Sequence, residues 1–284
     1  MATFYNQATL SYNDTVTNSN IVTGELVEVL TAEKTAVTDT YTTGATVTYV
    51  VSIVNTGAVQ LTGVTVTDDL GAYPFGASTL TPLTYIEGTA RLFVNGAVQP
   101  VPAVAAGTSL VISGITIPAG GNALVVYQTR ANSYAPLGNA AEITNTATVT
   151  AAGIANPVIA QETIAADVLA DLTITKSLSP EVVTENGELT YNFVIQNTGN
   201  TPVTAAHNAV VTDNFEPVLD LISVTFNGVT WSEPANYTYD ETAGAFATVA
   251  GQLTVPAATY YQDPTTGVWV IEPGVSVLRV TGRV

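Results

Sequence analysis

The chain contains two lysines, Lys34 and Lys176, and they stand 142 residues apart. Each lies on the apolar side of an alternating run. In "LTAEK" (30–34), Leu30, Ala32 and Lys34 share a face; in "LTITK" (172–176), Leu172, Ile174 and Lys176 do. A lysine turned toward a core is costly unless paired or neutralised. The same parity marks its partners. Val64, Val66 and Asp68 fall together, as do Ala209, Val211 and Asp213. Ile143, Asn145, Ala147 and Val149 fall together, as do Phe4, Asn6, Ala8 and Leu10. A lysine, an acid and an asparagine therefore recur on core-facing positions. Desolvation lowers the pKa of an amine and leaves it a neutral nucleophile. It raises that of a carboxyl group, which can then polarise an asparagine carbonyl and shuttle protons. The amine attacks, ammonia leaves, and an isopeptide bond joins two strands. A plain buried Lys–Asp ion pair beside a hydrogen-bonded Asn is the other reading, although such pairs seldom beat apolar packing.

The elements that must carry these residues come in two copies. "EKTAVTDTYTTGATVTYVVSIVNTG" (33–57) matches "TKSLSPEVVTENGELTYNFVIQNTG" (175–199), and "VTVTDDL" (64–70) matches "AVVTDNF" (209–215). "LFVNG" matches "VTFNG", and "TIPAGGNALVVYQTR" (116–130) matches "VIEPGVSVLRVTGR" (270–283). Period-two alternation, as at Val47, Tyr49, Val51 and Ile53, predicts strands. Turn residues in "NTGA", "NTGN", "FNG" and "PAGG" separate them. No segment reads as a helix. The predicted fold is all-β: two tandem immunoglobulin-like β-sandwiches plus an N-terminal donor strand. The predicted segments are 1–25 for donor strand and linker, 26–166 for the first sandwich, and 167–284 for the second.

The repeat is out of phase with the chain. The first unit closes with "ITNTATV" (143–149), whereas the second stops before its counterpart. That counterpart is written at the start, as "FYNQATL" (4–10). A sandwich lacking an edge strand leaves core and backbone groups uncovered, and the N-terminal strand of another copy can fill the gap by β-strand addition. Such a contact is heterologous and builds filaments unless it closes into a ring. Two other origins give the same phase: a strand folded back into its own second domain, or a segment cut from a longer repeat array.

Composition narrows the function classes. A net charge of −17 with six basic residues argues against nucleic acid and against an anionic membrane surface. No apolar run is long enough for a transmembrane helix. With no cysteine there is no disulfide or thiol chemistry. "MATFYNQATL" has neither a basic nor an apolar signal region, and no sortase-type signal ends the chain. The expectation is therefore a removed leader or assembly without one. His207, the single histidine, sits in the polar stretch "AAHNAV". No metal, cofactor or machinery for turning over an external substrate is expected.

The lines "ELTYNFVIQNTGN", "VVTDNF" and "ITNTATV" resemble the conserved-repeat domains of bacterial surface proteins. The order lysine, "VTD", C-terminal-strand asparagine is similar to that of the isopeptide-forming domains of Gram-positive pilins and adhesins. The resemblance implies Lys34, Asp68 and Asn145 as the reactive trio of the first domain. It implies Lys176 and Asp213 in the second, with Asn6 arriving from the next subunit and Asp68 and Asp213 as the assisting acids. Asp69 and Glu142 stand close enough in sequence to compete for the acid's role. The implied protein is a self-assembling extracellular filament subunit, on a cell or spore surface, with itself as partner. The alternative is a stalk or ligand-binding fragment of an adhesin.

Overall fold

The computed structural model describes residues 2–26 and 28–284. It is all-β, with one short 3-10 turn at Ala205–His207. The chain divides into two units. The first contains the described residues up to Asp39 with Gly44–Asn132 and Ile143–Ile164; the second contains Ala165–Val284 with the short pieces Thr40–Thr43 and Ser133–Glu142.

Two sheets build the first unit. One runs, in order of pairing, Ala97–Gln99, Arg91–Val94, Asn122–Ala131, Thr46–Asn55 and Leu30–Ala36. The other runs Ala103–Ala106, Leu110–Ile117, Leu61–Asp68, Glu142–Thr150 and Val158–Ala166. Alternation along Thr46–Asn55 buries Val47, Tyr49, Val51 and Ile53 completely because side chains of even spacing share one face of a strand. Val64, Val66, Ala147 and Val149 meet them from the second sheet and are equally dry.

The second unit repeats the plan with less cover. Its larger sheet runs Leu172–Ser179, Glu188–Asn197, Gly274–Arg283, Asp220–Phe226 and Val229–Trp231. Its smaller one runs Thr212–Asn214, Ala245–Thr248 and Tyr237–Asp240. Leu189, Phe193, Phe215, Phe246 and Leu278 form the centre of its core. The repeat holds down to single bonds. Leu30 pairs with Asn55, and Leu172 with Asn197. Asn55 Nδ2 donates to the Val59 and Pro118 carbonyls at 2.9 Å each, and Gly57 N donates to its Oδ1 at 3.0 Å. Asn197 repeats this with the Thr201 and Pro256 carbonyls and Gly199 N, at 2.8, 3.0 and 3.0 Å. The recurring "NTG" is thus a turn staple.

The N-terminal segment is a two-stranded hairpin. Ala2–Asn6 pairs with Val22–Leu26, and Thr9–Tyr12 with Thr15–Asn18, all antiparallel. Asn13 and Asp14 turn the chain with φ of 43° and 60°, the left-handed conformation that asparagine and aspartate tolerate in two-residue hairpin turns. The part of segment 1–25 that follows the donor strand, read from the sequence as linker, carries the return strands Thr15–Asn18 and Val22–Leu26.

Candidate cross-linking site

In the first unit the three residues singled out by their spacing lie in one dry region. Lys34 comes from the edge strand Leu30–Ala36 and reaches across the core to the facing sheet. Its Nζ meets Asp68 Oδ2 at 2.6 Å, with both side chains fully buried. The Tyr49 ring lies under the amine, 4.6 Å from its centroid, and Tyr127 stacks beside Tyr49 at 5.8 Å. Tyr127 also donates its hydroxyl to Asp68 Oδ2, while Leu70 N donates to Oδ1 at 2.9 Å. The carboxylate is therefore fixed by three donors from different elements.

Asn145 stands on the strand next to Asp68: Ala147, two residues on, lies directly opposite that aspartate. The asparagine is completely buried. Gly71 N donates to its Oδ1 at 3.2 Å, and its Nδ2 has no hydrogen-bond partner among the described residues. An amide N–H₂ left unpaired in a dry site costs about 1–3 kcal/mol. Asn55 and Asn197, equally buried, have theirs satisfied, so burial alone does not account for the orphan. A carbonyl held by a backbone donor, with its amino group unencumbered, is set up for attack at carbon and loss of nitrogen. Gly71 is required where it stands. Its φ is +71°, and a Cβ there would lie 2.5 Å from Ile143 Cγ2.

Burial pushes the Lys34 amine below its ordinary value, against the opposing pull of the Asp68 charge and hydrogen bond and the more distant Asp69 and Glu162. Burial also pushes the Tyr127 hydroxyl well up, and the Asp68 charge adds to the effect, so the phenol keeps its proton. The competing acids do other work. Asp69 Oδ1 accepts Gly71 N and Thr146 N at 2.9 Å each, closing the turn after the acid strand. Glu142 is exposed at the start of the asparagine strand.

The second unit reproduces half of this. Lys176 pairs with Asp213 in an ion pair, and its amine lies 4.3 Å from the centroid of Tyr191 and 5.4 Å from that of Phe215. The surroundings are open: the lysine side chain is 40% exposed and the aspartate 17%. The position that pairs with Tyr49 is Tyr127, whereas the one that pairs with Tyr191 is Val280. The acid strand differs most. Leu61–Asp68 is paired on both edges, by Leu110–Ile117 and Glu142–Thr150. Thr212–Asn214 is paired by Ala245–Thr248 alone among the described residues. Next to the residues that precede it, Ala209–Val211, lies an apolar groove also lined by Leu172, Ile174, Ile195 and Leu253. Asn6, the residue expected to serve this half-site, lies in the hairpin opposite Val22, exposed together with Phe4, Ala8 and Leu10.

Tyr127 and the Gly71 amide were not singled out by the sequence reading. The tyrosine carried a signal in its place in "LVVYQTR", on the buried parity of its strand. The glycine's signal was the "DDLG" turn that follows the acid.

No protein-family model and no curated protein matches the chain. Solved structures that resemble it include the pilus backbone of Streptococcus pneumoniae, at 12% identity and a TM-score of 0.36 over 86% of this chain and 55% of that one. BcpA, the major pilin subunit of Bacillus cereus, is similar at 13% identity and 0.36, over 95% of this chain and 73% of that one. The major pilin SpaD of Corynebacterium diphtheriae is similar at 12% and 0.36, over 86% and 59%. The chain thus spans little more than half the length of the pneumococcal and corynebacterial structures. Red sea bream transglutaminase is matched as well, at 12% and 0.30 over 87% of this chain and 31% of that one. Likeness of this degree does not assign a function. Among the described residues no helix is long and apolar enough to cross a membrane.

Proposed function

We propose that the protein is the structural subunit of a self-assembling extracellular bacterial filament, on a cell or spore surface, built head-to-tail from copies of itself. The N-terminal strand of one copy completes the open second unit of the next. Isopeptide bonds then lock both units, and the only catalysis is autocatalytic. The observation that carries this reading is the difference between two equivalent strands: Leu61–Asp68 is flanked on both edges, and Thr212–Asn214 on one.

The chemistry follows from the closed site. A proton passes along the 2.6 Å contact from the Lys34 amine to Asp68, which leaves both groups neutral in a dry environment. Lys34 Nζ then attacks Asn145 Cγ, and the Gly71 N–H holds the oxygen as its charge develops. Asp68 delivers the proton it holds to the departing Nδ2 and, as a carboxylate again, takes the second proton from the nucleophile. The Cγ–Nδ2 bond breaks, ammonia leaves, and Nζ–Cγ becomes an amide. No outside reagent is consumed. In the second unit Lys176 and Asp213 take the same roles, and Asn6 of the incoming copy supplies the amide. Orientation by strand docking replaces an external enzyme.

Negative-stain microscopy of the purified chain and of a deletion of residues 1–20 tests the assembly. Fibres from the full chain and none from the deletion are expected. Short rods from the full chain would favour an adhesin stalk, and fibres of normal length from the deletion would overturn strand donation.

A further inference from the structure

In the first unit the acid strand is not completed by one strand. Glu142–Thr150 and Val158–Ala166 follow it in the sheet as neighbours, joined by Thr144 Oγ1 to Thr163 Oγ1 at 2.8 Å and Gln161 Nε2 to Thr146 Oγ1 at 3.1 Å. The N-terminal segment has the same construction. Its first strand carries Phe4, Asn6, Ala8 and Leu10 where the first unit has Ile143, Asn145, Ala147 and Val149. Its return strand follows after a two-residue turn. We infer that the donated element is the whole N-terminal hairpin, so that each joint adds two strands to the sheet of the acceptor. This rests on the filament reading above and specifies its partner surface: a second copy's hairpin.

Three observations support the hairpin over a lone strand. Register is the first. Asn6 faces Val22 and Thr9 faces Asn18, so Gln7 and Ala8 stand opposite three residues, 19–21. The extra residue lies on the return side, and two residues, Gln7 and Ala8, separate Ala2–Asn6 from Thr9–Tyr12; an even gap keeps residues 4, 6 and 10 in step for docking. Exposure is the second. Phe4 is 57% and Leu10 61% exposed, an apolar face without cover, whereas Ile143 and Val149 are buried. The apolar groove at Ala209–Val211, just ahead of Thr212–Asn214, is the complementary face in the second unit. The third is the free edge. The first strand has one edge in the hairpin and offers the other, as Glu142–Thr150 does to Leu61–Asp68. Transferring the register of the first unit, in which Ala147 faces Asp68 and Val149 faces Val66, sets Ala8 opposite Asp213 and Leu10 opposite Val211. Asn6 then stands toward Lys176 as Asn145 stands toward Lys34. The return strand adds a second ladder that shields this new edge from water, as Val158–Ala166 does in the first unit.

A disulfide that locks the hairpin decides the matter. Thr9 Oγ1 donates to Asn18 Oδ1 at 3.0 Å across the two strands, both residues lie off the Phe4–Asn6–Leu10 face, and the chain has no cysteine of its own. The full-length Thr9→Cys/Asn18→Cys protein is assembled oxidised and reduced, beside the unsubstituted chain, with fibre mass read by sedimentation. Equal yields in all three samples are expected, because a closed hairpin is the competent donor. Assembly blocked by oxidation and restored by reduction would show that the first strand must leave its partner; the inference would fall and strand donation would stand. No sedimenting fibre from the unsubstituted chain would overturn both. A substitution in the same full-length chain guards against a change that only disturbs folding. Thr23→Pro breaks the return strand opposite Tyr5 and is expected to lower fibre yield at least tenfold; an unchanged yield would also overturn the inference.

Discussion

Leu30 and Leu172 occupy the same place in the two repeats, each opposite the stapled asparagine of its neighbouring strand, yet one is 3% exposed and the other 40%. Lys34 and Lys176 differ in the same sense, and so do Asp68 and Asp213. The acid strand is paired on both edges in the first unit and, among the described residues, on one in the second. The comparison teaches that the buried lysine–acid–asparagine cluster goes with a completed sheet. A lysine and an aspartate find each other in either unit, but the dry surroundings that make the amine a nucleophile come with the asparagine strand. On the filament reading proposed above, the residue that reacts and the strand that desolvates the site arrive together, and the cross-link of the open unit waits for assembly.

The sharpest way to break the comparison is Asn6→Ala. Alanine fits a strand, so fibres should still form, but Lys176 has no amide to attack. Boiling in denaturant should then give monomer where the unsubstituted protein gives a ladder of multiples of 29.4 kDa; a persisting ladder would remove Asn6 from the chemistry. Next in size is Lys34→Ala. It deletes the internal bond and the buried stem that crosses the core, leaving a cavity beside Asp68, a loss of about 2–5 kcal/mol beyond that of the bond itself. Calorimetry should show one transition falling while the second unit's is unchanged.

Smaller effects come from the buried tyrosine that faces Tyr49 in the first unit and is replaced by Val280 in the second. Tyr127→Phe removes a hydrogen bond to the Asp68 carboxylate, and bond formation in the first unit should slow by roughly tenfold or more. Val280→Tyr places a hydroxyl where the second unit has none and should speed the inter-subunit bond. Time-resolved intact mass reads both. The smallest effect is on pH dependence, in Asn145→Ala, which leaves the lysine free. Its amine is lowered from 10.5 in the folded state. The unfolded chain therefore binds more protons between the lowered value and 10.5, and stability rises with pH across that window. Tyr127 is raised above 10.0. The folded chain keeps that proton while the unfolded one loses it, and stability falls beyond about pH 10. Denaturant titrations should show both limbs, and neither in the variant that adds Lys34→Met and Tyr127→Phe.

Much of this was legible from spacing. Period-two parity brought out Lys34, Asp68 and Asn145 because buried faces of strands repeat every second residue, and the structure brings Lys34 onto Asp68 with Asn145 on the adjoining strand. The repeat offset likewise paired Lys176 with Asp213. Tyr127 escaped because a tyrosine on a buried parity is ordinary core until its hydroxyl is seen on a carboxylate. Gly71 escaped because what it contributes is a backbone N–H, and side-chain types carry no record of where such groups point. The return strand Thr15–Asn18 and Val22–Leu26 escaped because "TVTNSNIVTGEL" is interrupted by small polar residues and bulged, which weakens the alternation on which strand reading depends.

The closed and open units can be told apart in one measurement. Subunits grown in light and heavy isotopes are mixed as monomers, assembled, digested and searched for branched peptides. The Lys34–Asn145 pair should appear within light chains and within heavy chains, never mixed. The Lys176–Asn6 pair should appear in mixed form as often as random joining requires. A Lys176–Asn6 link found only within chains of one isotope, or absent from fibres that resist boiling, would contradict completion of the second unit by the next copy.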